Sequence, residues 1–497
     1  MLAALLERNA RDLGGRTAVV SGDERLTFAE LADRSARLAG GLAANGVERG
    51  DVVILLLPNC VEYAVSLFAL SALGAGALLL DPQSKGHELS RAFSDAQPRA
   101  VITDQKGLGR SLAVAESLGQ RVVAISVGAA PSEARSFPEL VDTGPPADLS
   151  GGSADDILIH QYSSGSTGRP KRAVRTQGHC AAEARMVTET LSLTPDDAIL
   201  CAVPMFHAYG LGDCFFAAAG SGARLVYQPQ VQPFVVKRQA TLELIEQERV
   251  TIFPAVPFMV ELLAGAPGDA DVSSLRYCFT AGTALSGEAF AAFDDRFGVP
   301  ARQLYGCTES PSIAVNLDPD PRPTAKTVGL PFEGVRVRIE TEDGADAPPG
   351  TAGEIGVQSP VAATGYVGQA GEVDRRTFRD GWIFPGDLGT LDEGGRLTVV
   401  GRTKIFIDVL GHKVDPLEVE DVLLLHPAVE EVVVVGAEKN GGELIKAAVV
   451  SNTPCSEREL IHFCKERLAS FKVPQVVEFL ETIPRSPLGK VLRKELV

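Results

Sequence analysis

Positive charge is scarce in this chain: 47 Lys and Arg stand against 64 Asp and Glu over 497 residues, a formal net charge of −17. Non-specific nucleic-acid binding runs on phosphate neutralisation, so no nucleic-acid partner is expected. Small anionic ligands are not excluded, because local clusters decide those. Two such clusters occur, Lys171, Arg172 and Arg175, and then Arg485, Lys490, Arg493 and Lys494. Paired cysteines are also missing. The cysteines at 60, 180, 201, 214, 278, 307, 455 and 464 form no C-x-x-C pair and no zinc-ligand spacing. Most lie in apolar context, as small buried hydrophobes do in a reducing compartment. No long hydrophobic run is present. The most apolar stretch, residues 64–80, is broken by Ser66, Ser71, Gly74 and Gly76 and stops at Asp81. It reads as a helix turning into a buried strand, with no stable membrane insertion. The start, "MLAALLERNARD", meets Glu7 and Arg8 at once and has no signal-peptide pattern, so a cytoplasmic protein is expected. Internal repeats and low-complexity tracts are absent.

The remainder is ordinary for a globular chain, 45% hydrophobic and 22% charged. Its length implies more than one domain. Strand and helix patterns alternate through the first part. Thr27 and Glu30 stand at capping-box spacing, with Phe28, Leu31, Leu38 and Leu42 on one face and Gly46 at the helix end. "VVILLLP" reads as a strand buried on both faces, with Asn59 as cap of the next helix. "ALLLD", "AVITD" and "VVAISV" continue the series, and residues 128–155 read as a Pro/Gly/Ser-rich connection. Residues 329–400 are turn-rich and read as a β-rich subdomain. Near the end, Asp415, Pro416 and Glu418 predict a helix start. Ser456 and Glu459 predict another, with Leu460, Phe463 and Leu468 on its buried side. The fold expected is α/β. Residues 1–401 form a large N-terminal domain of parallel or mixed sheets covered by helices, plus the β-rich subdomain. Residues 402–497 form a small mobile α+β C-terminal domain.

The stretch "YSSGSTGRPKRAV" begins at Tyr162, straight after a strand candidate. It is no Walker loop, which has four residues between its glycines and Ser or Thr after the lysine. Its physics is similar. Glycines let backbone N–H groups approach phosphate oxygens, the hydroxyls add donors, and Lys171 supplies a cation. Further along come "PMFHAYGL" at 204–211, "AGTAL" at 281–285, "YGCTES" at 305–310, "PGDLG" at 385–389, "GRTK" at 401–404 and a tail, "IPRSPLGKVLRKEL", at 483–496. Taken singly, these are a linker, a packed histidine, unremarkable turns and a solvated basic tail.

In this order they resemble the adenylate-forming superfamily of acyl- and aryl-CoA synthetases, peptide-synthetase adenylation domains and beetle luciferases. The likeness covers nearly the whole chain and is strongest to an acyl- or aryl-CoA ligase. It implies an ATP phosphate cradle at Ser163, Ser164, Gly165, Ser166, Thr167 and Gly168, with Lys171 as its cation. It places Tyr305 on adenine, beside Gly282, Thr283 and Ala284. Thr308 bonds phosphate, Glu309 holds Mg²⁺, and Asp387 and Arg402 contact ribose. A hard cation taking one carboxylate plus phosphate and water suits Glu309. His207 stands at the wall of the acid site, with Phe206, Tyr209, Phe253, Ala281, Gly306 and Cys307 suited to an aryl or modest aliphatic acid. Lys490 matches the adenylating lysine, Lys404 the hinge and Gly411 the thiol channel.

The reaction so implied is ATP-dependent activation of a carboxylic acid to acyl-AMP, then transfer to a thiol, with coenzyme A the foremost acceptor. Asp408 departs from the lysine that many CoA-forming members carry, which keeps a carrier-protein phosphopantetheine open as the alternative. An α-amino acid is not expected, because the acid motif "FHAYGL" has no carboxylate before Asp213. An ATPase or nucleotide switch is the reading from another class. The lack of a Walker loop and the presence of Lys490 argue against it.

Overall fold

The computed structural model describes residues 1–84, 86–163, 171–228, 234–367, 372–402, 407–409, 412–414, 416–439, 442–468, 470–485 and 491–497. The chain divides into two compact units. One comprises Met1–Arg338, Gly356–Pro385 and Asp392–Thr398, and the other Ile339–Ile355, Gly386–Leu391 and Val399–Val497.

Among the described residues, the first unit holds two large sheets. An eight-stranded sheet runs in the order Tyr366–Val367, Lys171–Thr176, Ile157–Ser163, Gly76–Leu79, Val52–Leu56, Ala100–Thr103, Val123–Ser126, Arg135–Ser136. A nine-stranded sheet runs Leu330–Pro331, Ala314–Val315, Ala301–Tyr305, Tyr277–Thr280, Ile252–Ala255, Ala198–Cys201, Arg224–Tyr227, Thr17–Ser21, Glu24–Thr27. The inner strands pair in parallel and are buried along almost their whole length, which is why they read as continuous apolar runs. The second unit contains a three-stranded sheet of Val429–Lys439, Gly442–Ser451 and Val476–Phe479. Helices Pro416–Leu424 and Glu457–Lys465 pack with it around Val419, Leu423, Val434, Ile445 and Leu460. The expected β-rich stretch is present as short strands between Leu330 and Arg402. No helix among the described residues is long and apolar enough to cross a membrane.

Local signals explain most element ends. The Thr27–Glu30 capping box starts helix Phe28–Ala44, whose Phe28, Leu31, Leu38 and Leu42 are buried as predicted. The 64–80 stretch is helix Val61–Leu73, a left-handed Gly74 at φ +71, and strand Gly76–Leu79. The Ser456–Glu459 box starts helix Glu457–Lys465, although Cys464 rather than Phe463 takes the inward position beside Leu460. Asp415 lies outside the described residues. Two further expectations fail. Asn59 does not cap: Cys60 occupies that position without a side-chain bond, and the Asn59 amide reaches across to another segment. The 128–155 connection holds a helix, Phe137–Thr143, started by Ser136, Pro138 and Glu139, a start signal that the many turn-forming residues around it obscure.

Strand Lys171–Thr176, helix Gln177–Thr190 and the helical segment Leu211–Phe216 share a buried charge cluster. Arg175 pairs with Glu183, and both are almost wholly buried. Asp213 is buried beside them, 3.3 Å from the Ser312 hydroxyl. Burial first, and then the Glu183 charge, pushes the Asp213 pKa well up, and burial raises that of Glu183 as well, so the neutral carboxyl is favoured at Asp213. The folded state then holds a proton that the unfolded carboxylate releases above its ordinary pKa of 3.8, so this group's contribution to stability falls as pH rises. Asp213→Asn removes that fall. Its melting temperature relative to the parent protein should climb from pH 5 to pH 8, by up to ~1.4 kcal/mol of stability per pH unit. A flat difference would mean that Asp213 is ionised in the fold. A second expectation concerns Gly40 on helix Phe28–Ala44, where an added Cβ would sit 1.7 Å from the Pro145 carbonyl oxygen. Gly40→Ala should cost about 1–3 kcal/mol in denaturant unfolding. An unchanged midpoint would mean that the Pro145 segment yields freely.

Candidate active site

Strands Ala198–Cys201, Ile252–Ala255, Tyr277–Thr280 and Ala301–Tyr305 are parallel neighbours. Parallel strands send the loops that follow them to one edge of the sheet, where ligands of open α/β sheets bind. The segments with Phe206 and His207, with Ala281–Ala284 and with Gly306–Glu309 follow three of these strands. In the other sheet, Ser163 ends strand Ile157–Ser163, which runs parallel to Gly76–Leu79.

Two buried amides, Asn59 after strand Val52–Leu56 and Gln161 in strand Ile157–Ser163, hold the segment bearing His207. Asn59 donates to the carbonyls of Val203 at 2.8 Å and Cys201 at 3.2 Å, and accepts from Met205 N–H at 2.8 Å. Gln161 donates to the Phe206 carbonyl at 3.0 Å. His207 is exposed, with its ring 4.5 Å from that of Phe206. The Tyr209 hydroxyl is buried, and desolvation keeps it neutral by pushing its pKa well up. Phe253 is fully buried inside its strand. Ala281 is buried, whereas Gly282, Thr283 and Ala284 are exposed.

Tyr305 is buried at the end of its strand, and the turn after it closes on itself, Cys307 N–H donating to Ser310 O at 3.0 Å. Gly306 is exposed, while Cys307 and Thr308 are half-buried. Glu309 is buried, and the Tyr366 hydroxyl donates to its Oε1 at 2.5 Å. The Tyr366 ring also lies under the Lys171 ammonium, 4.9 Å from Nζ to centroid. Burial first, and then the Glu309 charge, raises the Tyr366 pKa, so the phenol stays a donor. Ser164, Gly165, Ser166, Thr167 and Gly168 lie outside the described residues. The ends of that loop, Ser163 and Lys171, are cross-strand partners.

In the second unit, Arg402 Nε donates to the buried Asp387 carboxylate at 2.5 Å. Lys404, Gly411 and Lys490 lie outside the described residues. The chain flanking Lys490 is held at both sides: Arg485 and Val491 form a bridge, and Arg493 donates to the Val434 carbonyl and, at 2.8 Å, to Glu420. Glu420 also accepts the Val434 N–H at 2.8 Å, so the carboxylate joins helix, strand and tail.

Sequence reasoning passed over Tyr366 and Gln161 and gave Asn59 another role. Asn59 reads as a cap by position, and Gln161 is hidden inside an apolar strand. Tyr366, in "TGYVG", stands 57 residues from Glu309 along the chain and carries no local signal. For a metal, no cluster of three or more His, Cys, Asp or Glu able to hold an ion is found among the described residues. A single buried carboxylate fits Mg²⁺ that takes its other ligands from phosphate and water.

Comparison with known proteins agrees along the whole chain. The AMP-binding enzyme model matches residues 6–367 and the AMP-binding enzyme C-terminal domain model residues 418–490. A feruloyl-CoA synthase from Amycolatopsis sp is 35% identical over 495 residues, 98% of this chain and 97% of that protein. An o-succinylbenzoate CoA synthetase from Bacillus subtilis, solved with its acyl-adenylate intermediate, superposes with a TM-score of 0.84 at 30% identity, covering 99% of this chain and 97% of that one. A benzoate CoA ligase from Burkholderia xenovorans LB400 superposes with a TM-score of 0.85 at 28% identity, covering 100% and 99%. The chain belongs to the AMP-binding enzymes, the adenylate-forming family that includes the acyl- and aryl-CoA ligases.

Proposed function

We propose that this protein activates an aryl or small-to-medium acyl carboxylic acid with ATP and passes the acyl group to coenzyme A, releasing AMP. The acid oxygen attacks the α-phosphorus, pyrophosphate leaves, and acyl-AMP forms. The thiol then attacks the carbonyl carbon, and AMP departs with the oxygen that joined it to the acyl group. The supporting observation is Tyr366 touching both Glu309 and Lys171, which ties the turn after Tyr305 to the end of the phosphate loop.

The chain's own groups divide the work. Lys171 and Lys490 neutralise charge as it develops, the preorganised stabilisation that acyl-phosphate chemistry demands. Glu309 would hold Mg²⁺, which supplies charge neutralisation on the phosphates when bound. Thr308 bonds phosphate. Tyr305 and residues Gly282, Thr283 and Ala284 receive adenine, and Asp387 and Arg402 receive ribose. His207, with Phe206 and Tyr209, faces the acid, while Ala281, Gly306 and Cys307 leave it room. For the second step, the domain of residues 402–497 turns about Lys404, withdraws Lys490 and opens a thiol path beside Gly411.

The relatives reported above are named as a feruloyl-CoA synthase, an o-succinylbenzoate CoA synthetase and a benzoate CoA ligase, which favours an aromatic acid and CoA over a carrier protein here. Asp213 supports a non-amino acid, because it is buried against Ser312, and burial disfavours the carboxylate that an α-ammonium would need. The test is acid-dependent exchange of pyrophosphate into ATP across a panel of aryl, fatty and hydroxy acids, with Lys490→Ala alongside. Aryl acids should support exchange, and Lys490→Ala should lower it by at least ~10²-fold while sparing thioester formation from supplied acyl-adenylate. Exchange with no acid, or a variant as active as the parent, would overturn the reading.

A further inference from the structure

Tyr366 stands where two lines of chain meet. It lies on strand Tyr366–Val367, antiparallel to Lys171–Thr176, with Tyr366 directly opposite Ala173. Lys171 and Ala173 share a face of their strand, so a side chain opposite Ala173 reaches Lys171 as its diagonal neighbour. The 4.9 Å from ammonium to ring follows from that register. On the other side, Ala363 N–H donates to the Glu309 carbonyl at 2.7 Å, so the same short segment is fixed to the Glu309 backbone. Phe378 meets the Tyr366 ring edge-on at 5.2 Å and 78°. The hydroxyl engages Oε1 of Glu309. A carboxylate has about four lone-pair sites over two oxygens, so one hydrogen bond orients the group without filling it.

We propose that Tyr366 is a positioning residue for adenylation: its hydroxyl orients the Glu309 carboxylate towards a divalent cation, while its ring sets the Lys171 ammonium beside the phosphate loop. The inference rests on the roles proposed above for Glu309 and Lys171. Hydrogen bonds of this kind to a ligating carboxylate tune metal affinity, typically by about tenfold or more. The strand register supplies the rigid base that such a device needs, since a shift of one residue would turn Tyr366 to the opposite face.

Two variants of the full-length protein separate the two contacts. Tyr366→Phe keeps the ring and removes the hydroxyl, whereas Tyr366→Leu removes both. ATP binding is measured by calorimetry in Mg²⁺ and in EDTA, and pyrophosphate exchange is measured against Mg²⁺ concentration. Tyr366→Phe should keep the parent melting temperature and the parent ATP affinity in EDTA. It should lose about tenfold of the affinity gained with Mg²⁺, and its half-saturating Mg²⁺ in exchange should rise about tenfold. Tyr366→Leu should in addition weaken ATP binding in EDTA by about threefold, through Lys171. A Tyr366→Phe protein with parent Mg²⁺ dependence in both measurements overturns the proposal. So does one whose affinities in Mg²⁺ and EDTA fall equally, since packing alone would do that. Glu309→Gln is the control. If it loses Mg²⁺ dependence while Tyr366→Phe does not, only this inference fails. If Glu309→Gln also leaves Mg²⁺ dependence intact, the parent role of Glu309 fails and this inference with it.

Discussion

Parallel pairing in the two sheets of the first unit is the constraint from which the site follows. Once strands Ala198–Cys201, Ile252–Ala255, Tyr277–Thr280 and Ala301–Tyr305 lie side by side in one direction, three loops rich in small and polar residues must leave from the same edge. No local preference of those loops is needed to gather them. Burial of the strands drives the assembly, and the polar chemistry is carried to the rim. The amides of Asn59 and Gln161 then fasten the His207 segment to the neighbouring sheet. Each of these amides is itself buried, and the carbonyls they satisfy would otherwise carry a desolvation penalty.

Charge is handled differently at the rim and in the interior. In the interior Arg175 pairs with Glu183, and burial beside Glu183 pushes the pKa of Asp213 up. Towards the rim, Glu309 is buried and accepts a phenolic hydrogen bond, and Lys171 rests on the ring of that same phenol. The interior cluster is buried, with Arg175 joined to Glu183 through one nitrogen and one oxygen. At the rim one aromatic side chain meets a carboxylate at its hydroxyl and an ammonium at its face, an arrangement suited to a polyanionic substrate with its counter-ion.

Much of this was legible in the residues. Capping boxes at Thr27 and Ser456, the glycine stop at Gly74 and the doubly buried apolar strands are local signals, and local structure obeyed them. Motif order was enough to indicate the family. Long-range polar contacts were not legible. Asn59 carries the residue type and position of a helix cap, but its amide satisfies carbonyls more than a hundred residues away. Tyr366 meets Glu309 and Lys171 only because one short edge strand pairs in one register, and register depends on partners that no window of sequence contains. Phe463 and Cys464 exchange burial by one helical step, which apolar periodicity alone does not resolve.

The central claim, that a carboxylate attacks the α-phosphorus of ATP, is tested most directly by the fate of oxygen. An aryl acid labelled with ¹⁸O in both carboxylate oxygens is turned over with ATP and coenzyme A, and the products are weighed by mass spectrometry. The account predicts AMP carrying one labelled oxygen, with unlabelled pyrophosphate. Label in inorganic phosphate together with ADP would contradict it.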